Sequence, residues 1–115
     1  MSDPWILRYE GFDPEREGLR EALMTLGNGF FATRGALPES DAGEVHYPGT
    51  YLAGGYDRAV TEIAGREIEN EDLVNLPNWL VLRVRIAGGT WFALADVEIL
   101  EHVVELDIRH AVLHR

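Results

Sequence analysis

The stretch Leu26-Gly27-Asn28-Gly29-Phe30-Phe31-Ala32-Thr33-Arg34-Gly35 constrains this chain more than any other, because it sets a glycine–asparagine–glycine turn between two apolar runs. Asn28 and its flanking glycines all tolerate positive φ, so the chain reverses there within about two residues and the flanking runs are free to pair. The spacing predicts a β-hairpin with Arg34 near the far end of its second strand, beside Gly35. Gly88-Gly89 predicts another, between residues 79–86, where Leu82, Val84 and Ile86 alternate with Arg83 and Arg85, and residues 90–94. Runs at 5–9, 50–53, 60–65, 97–106 and 111–113 read as further strands. Residues 16–26 favour helix by propensity, yet Glu21, Leu23 and Thr25 alternate against Ala22, Met24 and Leu26. With the turn directly after it, that segment is read as a strand. Asp13 and Pro14 suit a short helical turn near residues 14–18, and 38–49 and 67–72 read as polar loops. The expected fold is all-β, an antiparallel β-sandwich of one domain spanning residues 1–115, with its last strand left as an open sheet edge.

A chain of 115 residues with 46% hydrophobic content is large enough for one core. The net charge of −10 argues against nucleic acid and against anionic membrane surfaces as partners. With no cysteine, disulfides and thiolate metal sites are excluded. The first residues carry no basic and apolar leader pattern, and no apolar run approaches the ~20 residues of a membrane helix, so the expected location is the cytoplasm.

Few residues carry chemistry. His110 and His114 stand four apart, a ligand spacing on a helix, but on a strand they lie about 13 Å apart, too far to share one ion. No metal or cofactor is expected. Glu67, Glu69, Glu71 and Asp72 cluster as a glycosidase's carboxylates do, but their closeness in sequence fits a solvated loop better. Arg34 has two readings: a guanidinium that clamps a carboxylate or sugar hydroxyls, or a structural ion pair with Glu39 or Glu21. Trp79 also has two: a platform for a sugar ring, with Tyr51 beside it, or a core aromatic.

Four blocks together resemble glycoside hydrolase family 65. They are the run from Glu21 to Ser40 through Leu26-Gly27-Asn28-Gly29-Phe30-Phe31-Ala32-Thr33-Arg34-Gly35, then Tyr47-Pro48-Gly49-Thr50-Tyr51-Leu52-Ala53-Gly54-Gly55-Tyr56, Leu73-Val74-Asn75-Leu76-Pro77-Asn78-Trp79, and Leu106-Asp107-Ile108-Arg109-His110-Ala111-Val112-Leu113. The resemblance implies an N-terminal β-sandwich that precedes a helical linker, an (α/α)6 barrel and a small C-terminal sheet. It also implies inverting phosphorolysis of α-linked disaccharides such as maltose, trehalose, kojibiose and nigerose, or in some members hydrolysis, with a barrel glutamic acid protonating the leaving oxygen. No residue here matches that glutamate, so the expected role is a non-catalytic domain that supports the barrel of the same enzyme, in cis or in trans. On this reading Gly27, Asn28 and Gly29 are a structural turn. The rival readings are a stand-alone carbohydrate module, binding an α-glucosyl disaccharide through Arg34, Tyr51 and Trp79, and a self-associating module that forms a homodimer.

Overall fold

The computed structural model describes residues 3–115. In chain order these form β1 (Ile6–Glu10), α1 (Glu17–Leu23), β2 (Leu26–Gly27), β3 (Phe31–Thr33), β4 (Thr50–Leu52), β5 (Tyr56–Ile63), β6 (Arg66–Leu73), a 3-10 turn (Leu94–Asp96), β7 (Val103–Asp107) and β8 (Val112–His114). Every strand pairing among the described residues is antiparallel. The strands make three sheets, ordered β1-β7-β8, β2-β3-β4 and β5-β6. The architecture is therefore all-β and sandwich-like, as expected, with one helix laid against it.

That helix corrects the reading of residues 16–26. The Asp13 carbonyl accepts from the amides of Arg16 (2.9 Å) and Glu17 (3.1 Å), which opens the first turn. The strand-like alternation is local coincidence, because the 3.6-residue period instead puts Glu17, Glu21 and Met24 on one buried face. The helical turn expected at 14–18 is displaced accordingly: residues 14–16 are turn, and the helix begins at Glu17. The Gly-Asn-Gly hairpin forms, with Leu26 opposite Thr33 and Gly27 opposite Ala32. Only Gly29 uses positive φ there, at 87°. Asn28 works through its side chain instead, its Oδ1 accepting from the amides of Phe30 (3.0 Å) and Phe31 (3.1 Å).

Three further regions differ from expectation. Residues 67–72 belong to β6, because Ala64 (φ 52°) and Gly65 (φ 75°) make a two-residue turn with both central φ positive, and this sets Ile63 opposite Arg66. The acidic side chains are in water as expected, but on a strand exposed on both faces. Residues 79–86 and 90–94 meet only at an isolated bridge, Arg85 to Trp91, with the Phe92 amide donating to the Val84 carbonyl at 2.8 Å. The turn at Gly88 is real, with φ 80°, but no ladder extends from it. The strand expected over 97–106 is likewise confined to Val103–Asp107.

The core sits under α1, where Tyr9, Met24, Leu37 and Val104 line one small void. Met24, Ala36, Leu37 and Leu106 are the buried apolar side chains among the described residues. Many large apolar groups remain outside it, among them Phe30, Trp79, Ile86 and Leu100. No helix among the described residues is long and apolar enough to cross a membrane.

Candidate functional site

Beside the core opens a groove of about 690 Å³, walled by the β2–β3 hairpin, residues 34–38, Trp79-Leu80 and the β7–β8 end of the first sheet. Its wall is mainly apolar: Met24, Leu26, Phe31, Leu37, Leu80, Val104, Val112 and Leu113 contribute to it. Trp79 stands on its rim, 62% exposed, edge-on to Phe31 at 6.2 Å between ring centres. Its indole N–H donates to Thr33 Oγ1 at 3.0 Å, which holds the ring's orientation. The core reading of Trp79 therefore gives way to an exposed aromatic fixed in place.

Under this groove lies a polar node that the sequence did not mark as a unit. Glu21 is 1% exposed. Its Oε1 lies 2.7 Å from His46 Nδ1, and its Oε2 accepts from the Tyr47 amide at 2.8 Å. Arg34 Nη2 stands 3.9 Å from Oε2, so the expected ion pair forms with Glu21, while Glu39 is taken by Arg115 at 2.7 Å. Arg34 also donates from Nε to the Tyr47 carbonyl (2.6 Å) and from Nη2 to the Gly18 carbonyl (2.8 Å), and its guanidinium lies over the Tyr47 ring. One carboxylate and one guanidinium thus join α1, the end of β3 and the loop before β4. The sequence offers the Arg34–Glu21 pair as one of two alternatives, and the acid at Glu21 stands four residues after Glu17 and three before Met24, on what becomes the inward helix face; nothing in it marks His46.

Two glycines make the close approach feasible. A Cβ on Gly35 would come within 2.7 Å of Met24 Cβ and 2.8 Å of its carbonyl oxygen. One on Gly49 would meet the Tyr51 hydroxyl at 2.8 Å and Arg34 Cδ at 3.0 Å. Of the candidate sugar-contacting residues, Arg34 and Trp79 therefore share the groove, together with Gly27 and Asn28 of the turn. Tyr51 does not join them: it lies opposite Ala32 on β4, with its hydroxyl packed at Gly49.

The remaining histidines lie elsewhere. Phe12 sits between His46 and His102, at 5.9 and 6.1 Å between ring centres. Burial holds the His102 imidazole below its ordinary pKa. His110 lies in the β7–β8 turn with Nδ1 2.7 Å from Asp107, whose carboxyl it holds below the usual range by hydrogen bonding, while His114 stands on β8 opposite Glu105. Among the described residues no group of three or more metal-ligating side chains comes together. The described residues lining the groove include no carboxyl, imidazole or thiol. The groove can bind; it has no group on its wall to protonate a glycosidic oxygen or take a proton from a nucleophile.

The family model for the glycosyl hydrolase family 65 N-terminal domain matches residues 7–115. An uncharacterized glycosyl hydrolase of Mycobacterium tuberculosis (strain H37Rv) is 51% identical over 113 residues, which are 98% of this chain and 8% of that protein. The trehalose 6-phosphate phosphorylase of Lactococcus lactis is 38% identical over 110 residues, covering 94% of this chain and 14% of that one. Among solved structures, a putative kojibiose phosphorylase from the human microbiome superposes with a TM-score of 0.79 at 25% identity, over 96% of this chain and 15% of that one. The chain thus spans 8% to 15% of the length of these proteins.

Proposed function

This chain belongs to the N-terminal domain family of glycosyl hydrolase family 65, and on that premise we propose that it is a non-catalytic supporting domain of a cytoplasmic enzyme that cleaves α-glucosyl disaccharides. Its partner is the catalytic barrel of that enzyme, in cis or in trans, and chemistry stays with the barrel. The observation that carries the reading is the open apolar groove with Trp79 held on its rim, beside a wall that lacks an acid. A surface of that kind gains stability when covered, at about 25 cal/mol for each Å² of apolar area removed from water. The Glu21–Arg34–His46 node then serves as the strut that keeps the groove's floor in register.

Two measurements test it. The isolated chain, given maltose, trehalose or kojibiose with phosphate, is expected to release no glucose or glucose phosphate above background; turnover would sink the reading. The chain is also expected to bind the remainder of the M. tuberculosis relative, prepared without its own corresponding region. A second reading, favoured by the exposed indole of Trp79 beside Arg34, is a carbohydrate-binding module. Calorimetric titration with glucose and the same disaccharides separates the two, since a supporting domain gives no saturable heat. Sedimentation at several concentrations tests the homodimer.

A further inference from the structure

The turn between β2 and β3 holds a chemical arrangement that reversing the chain does not require. Asn28 precedes Gly29, whereas Asn70, Asn75 and Asn78 precede Glu71, Leu76 and Trp79. Asparagine is a thermolabile residue, because the next backbone nitrogen can attack its side-chain amide. Three groups take part, and the turn leaves each of them ready. The nucleophile is the Gly29 nitrogen, whose N–H donates to no acceptor among the described residues. A side chain at this position would crowd it, but glycine has none, and nothing lies within 4 Å of where a Cβ would stand. The leaving group is Asn28 Nδ2, which also donates to no acceptor among the described residues, while Asn75 Nδ2 is held by the Pro48 carbonyl at 3.3 Å. The electrophile is Asn28 Cγ, whose Oδ1 accepts from the amides of Phe30 (3.0 Å) and Phe31 (3.1 Å). Two N–H donors converging on one carbonyl oxygen stabilise the negative charge that builds there when the carbon is attacked, as in an oxyanion hole. Asn28 and Gly29 are both exposed to water.

From this geometry we propose that Asn28 is a site of spontaneous covalent modification, in which the Gly29 nitrogen closes a ring on Asn28 Cγ and the side-chain amide is lost. The Gly29 nitrogen gives its proton to hydroxide and bonds to Cγ, and the carbonyl electron pair moves onto Oδ1. When that pair returns, the Cγ–Nδ2 bond breaks, and Nδ2 takes a proton from water and leaves as ammonia. Water then opens the cyclic imide at one of its two carbonyls. Opening at Cγ leaves aspartate at position 28; opening at the main-chain carbonyl leaves isoaspartate, with the chain running through Cβ and Cγ. Water is the only co-reactant, and nothing is oxidised or reduced. Either product adds a negative charge to a chain that already carries −10. Their structural effects differ. Aspartate keeps an acceptor oxygen for the Phe30 and Phe31 amides and strengthens both bonds with its charge. Isoaspartate inserts a methylene into the main chain of the turn that the Asn28 amide closes on the Phe31 carbonyl at 3.1 Å, next to the Gly27↔Ala32 pair. The hairpin then loses its register, and Phe31, the edge-on neighbour of Trp79, moves with it. This modification is a property of the turn and does not depend on the supporting-domain reading.

The test follows the 115-residue chain over time at physiological temperature and mildly alkaline pH, folded and, in parallel, unfolded in guanidinium chloride. Peptide mass mapping reads the exchange of amide for carboxyl at each asparagine, and labelling by an isoaspartyl methyltransferase counts the isoaspartate. In the folded chain Asn28 is expected to convert at least about tenfold faster than Asn70, Asn75 or Asn78, about what one ordinary hydrogen bond to the transition state supplies. It is also expected to convert no more slowly than in the unfolded chain. Conversion of Asn28 at the rate of the other three, or more slowly folded than unfolded, overturns the site. The two products are then separated by chromatography, with Asn28→Asp as the standard for one of them. Amide exchange over residues 26–33 is expected to quicken in the isoaspartate form and to stay as in the parent in the aspartate form. Equal exchange in the two forms would overturn the loss of register.

Discussion

Removing the carboxylate of Glu21 is the sharpest test of how this domain holds its groove. That carboxylate is 1% exposed and makes two short contacts, to His46 Nδ1 at 2.7 Å and to the Tyr47 amide at 2.8 Å, with Arg34 3.9 Å away. A hydrogen bond to a charged group contributes about 1.5–3 kcal/mol, so the two short ones together come to about 3–6 kcal/mol. Breaking a buried ion pair from one side costs about 3–5 kcal/mol, because the partner is left without compensation. The two routes converge on about 3–5 kcal/mol for Glu21→Ala. At about 0.05–0.15 kcal/mol per residue, a chain of this length holds roughly 6–17 kcal/mol, so the loss is a large share of the total. Urea unfolding of the 115-residue chain measures it: with a slope near 2 kcal/mol/M, the midpoint is expected to drop by about 2 M at unchanged slope. Glu21→Gln keeps one acceptor oxygen for the Tyr47 amide and is expected to lose less, about 1–3 kcal/mol. An alanine variant within about 0.5 kcal/mol of the parent, the size of an ordinary surface change, would refute the node as a strut.

Gly35→Ala drives a methyl to 2.7 Å from Met24 Cβ, and is expected to cost about 1–3 kcal/mol by overpacking, read as a lower melting temperature. In the β5–β6 hairpin, Glu62 and Glu67 are directly opposite with both faces in water; Glu67→Lys is expected to gain about 0.2–1 kcal/mol, seen as slower amide exchange in both strands. His102 has its folded pKa held below its unfolded value, so the unfolded chain binds the extra proton. Stability is therefore whole above the ordinary histidine pKa of about 6.5 and declines as pH falls through it. His102→Gln is expected to flatten that slope in melting curves between neutral and mildly acidic pH, and an unchanged slope would count against the imidazole as its source.

The features legible in the sequence were those that act within a few residues. Gly29 and Gly88 turn the chain where positive φ is needed, and each is a local backbone requirement; the turn at Ala64-Gly65 escaped the same reading, which ran a strand through Gly65. Alternation and helical period are weaker signals when a segment is short. At residues 16–26 the local alternation competed with a period that only the buried contacts of Glu17, Glu21 and Met24 reveal. At 79–86 the alternating pattern of a strand is present, but a strand needs a neighbour, and among the described residues it meets one only at Arg85 and Trp91. The acids of β6 lie in water, yet exposure does not make a loop when a tight turn pairs them to β5.

Composition, glycine turns and ordered motifs determined the all-β class and the family of this chain, because these depend on residue type and short spacing. Tertiary structure decided that Arg34 pairs with Glu21 rather than Glu39 and that His46 joins them, since the three come from segments spread over 26 positions of the chain. It also decided that Trp79 stands at a groove's rim while Tyr51 packs elsewhere. A side chain's partners across the fold are set by where whole elements pack, and no local pattern encodes that distance.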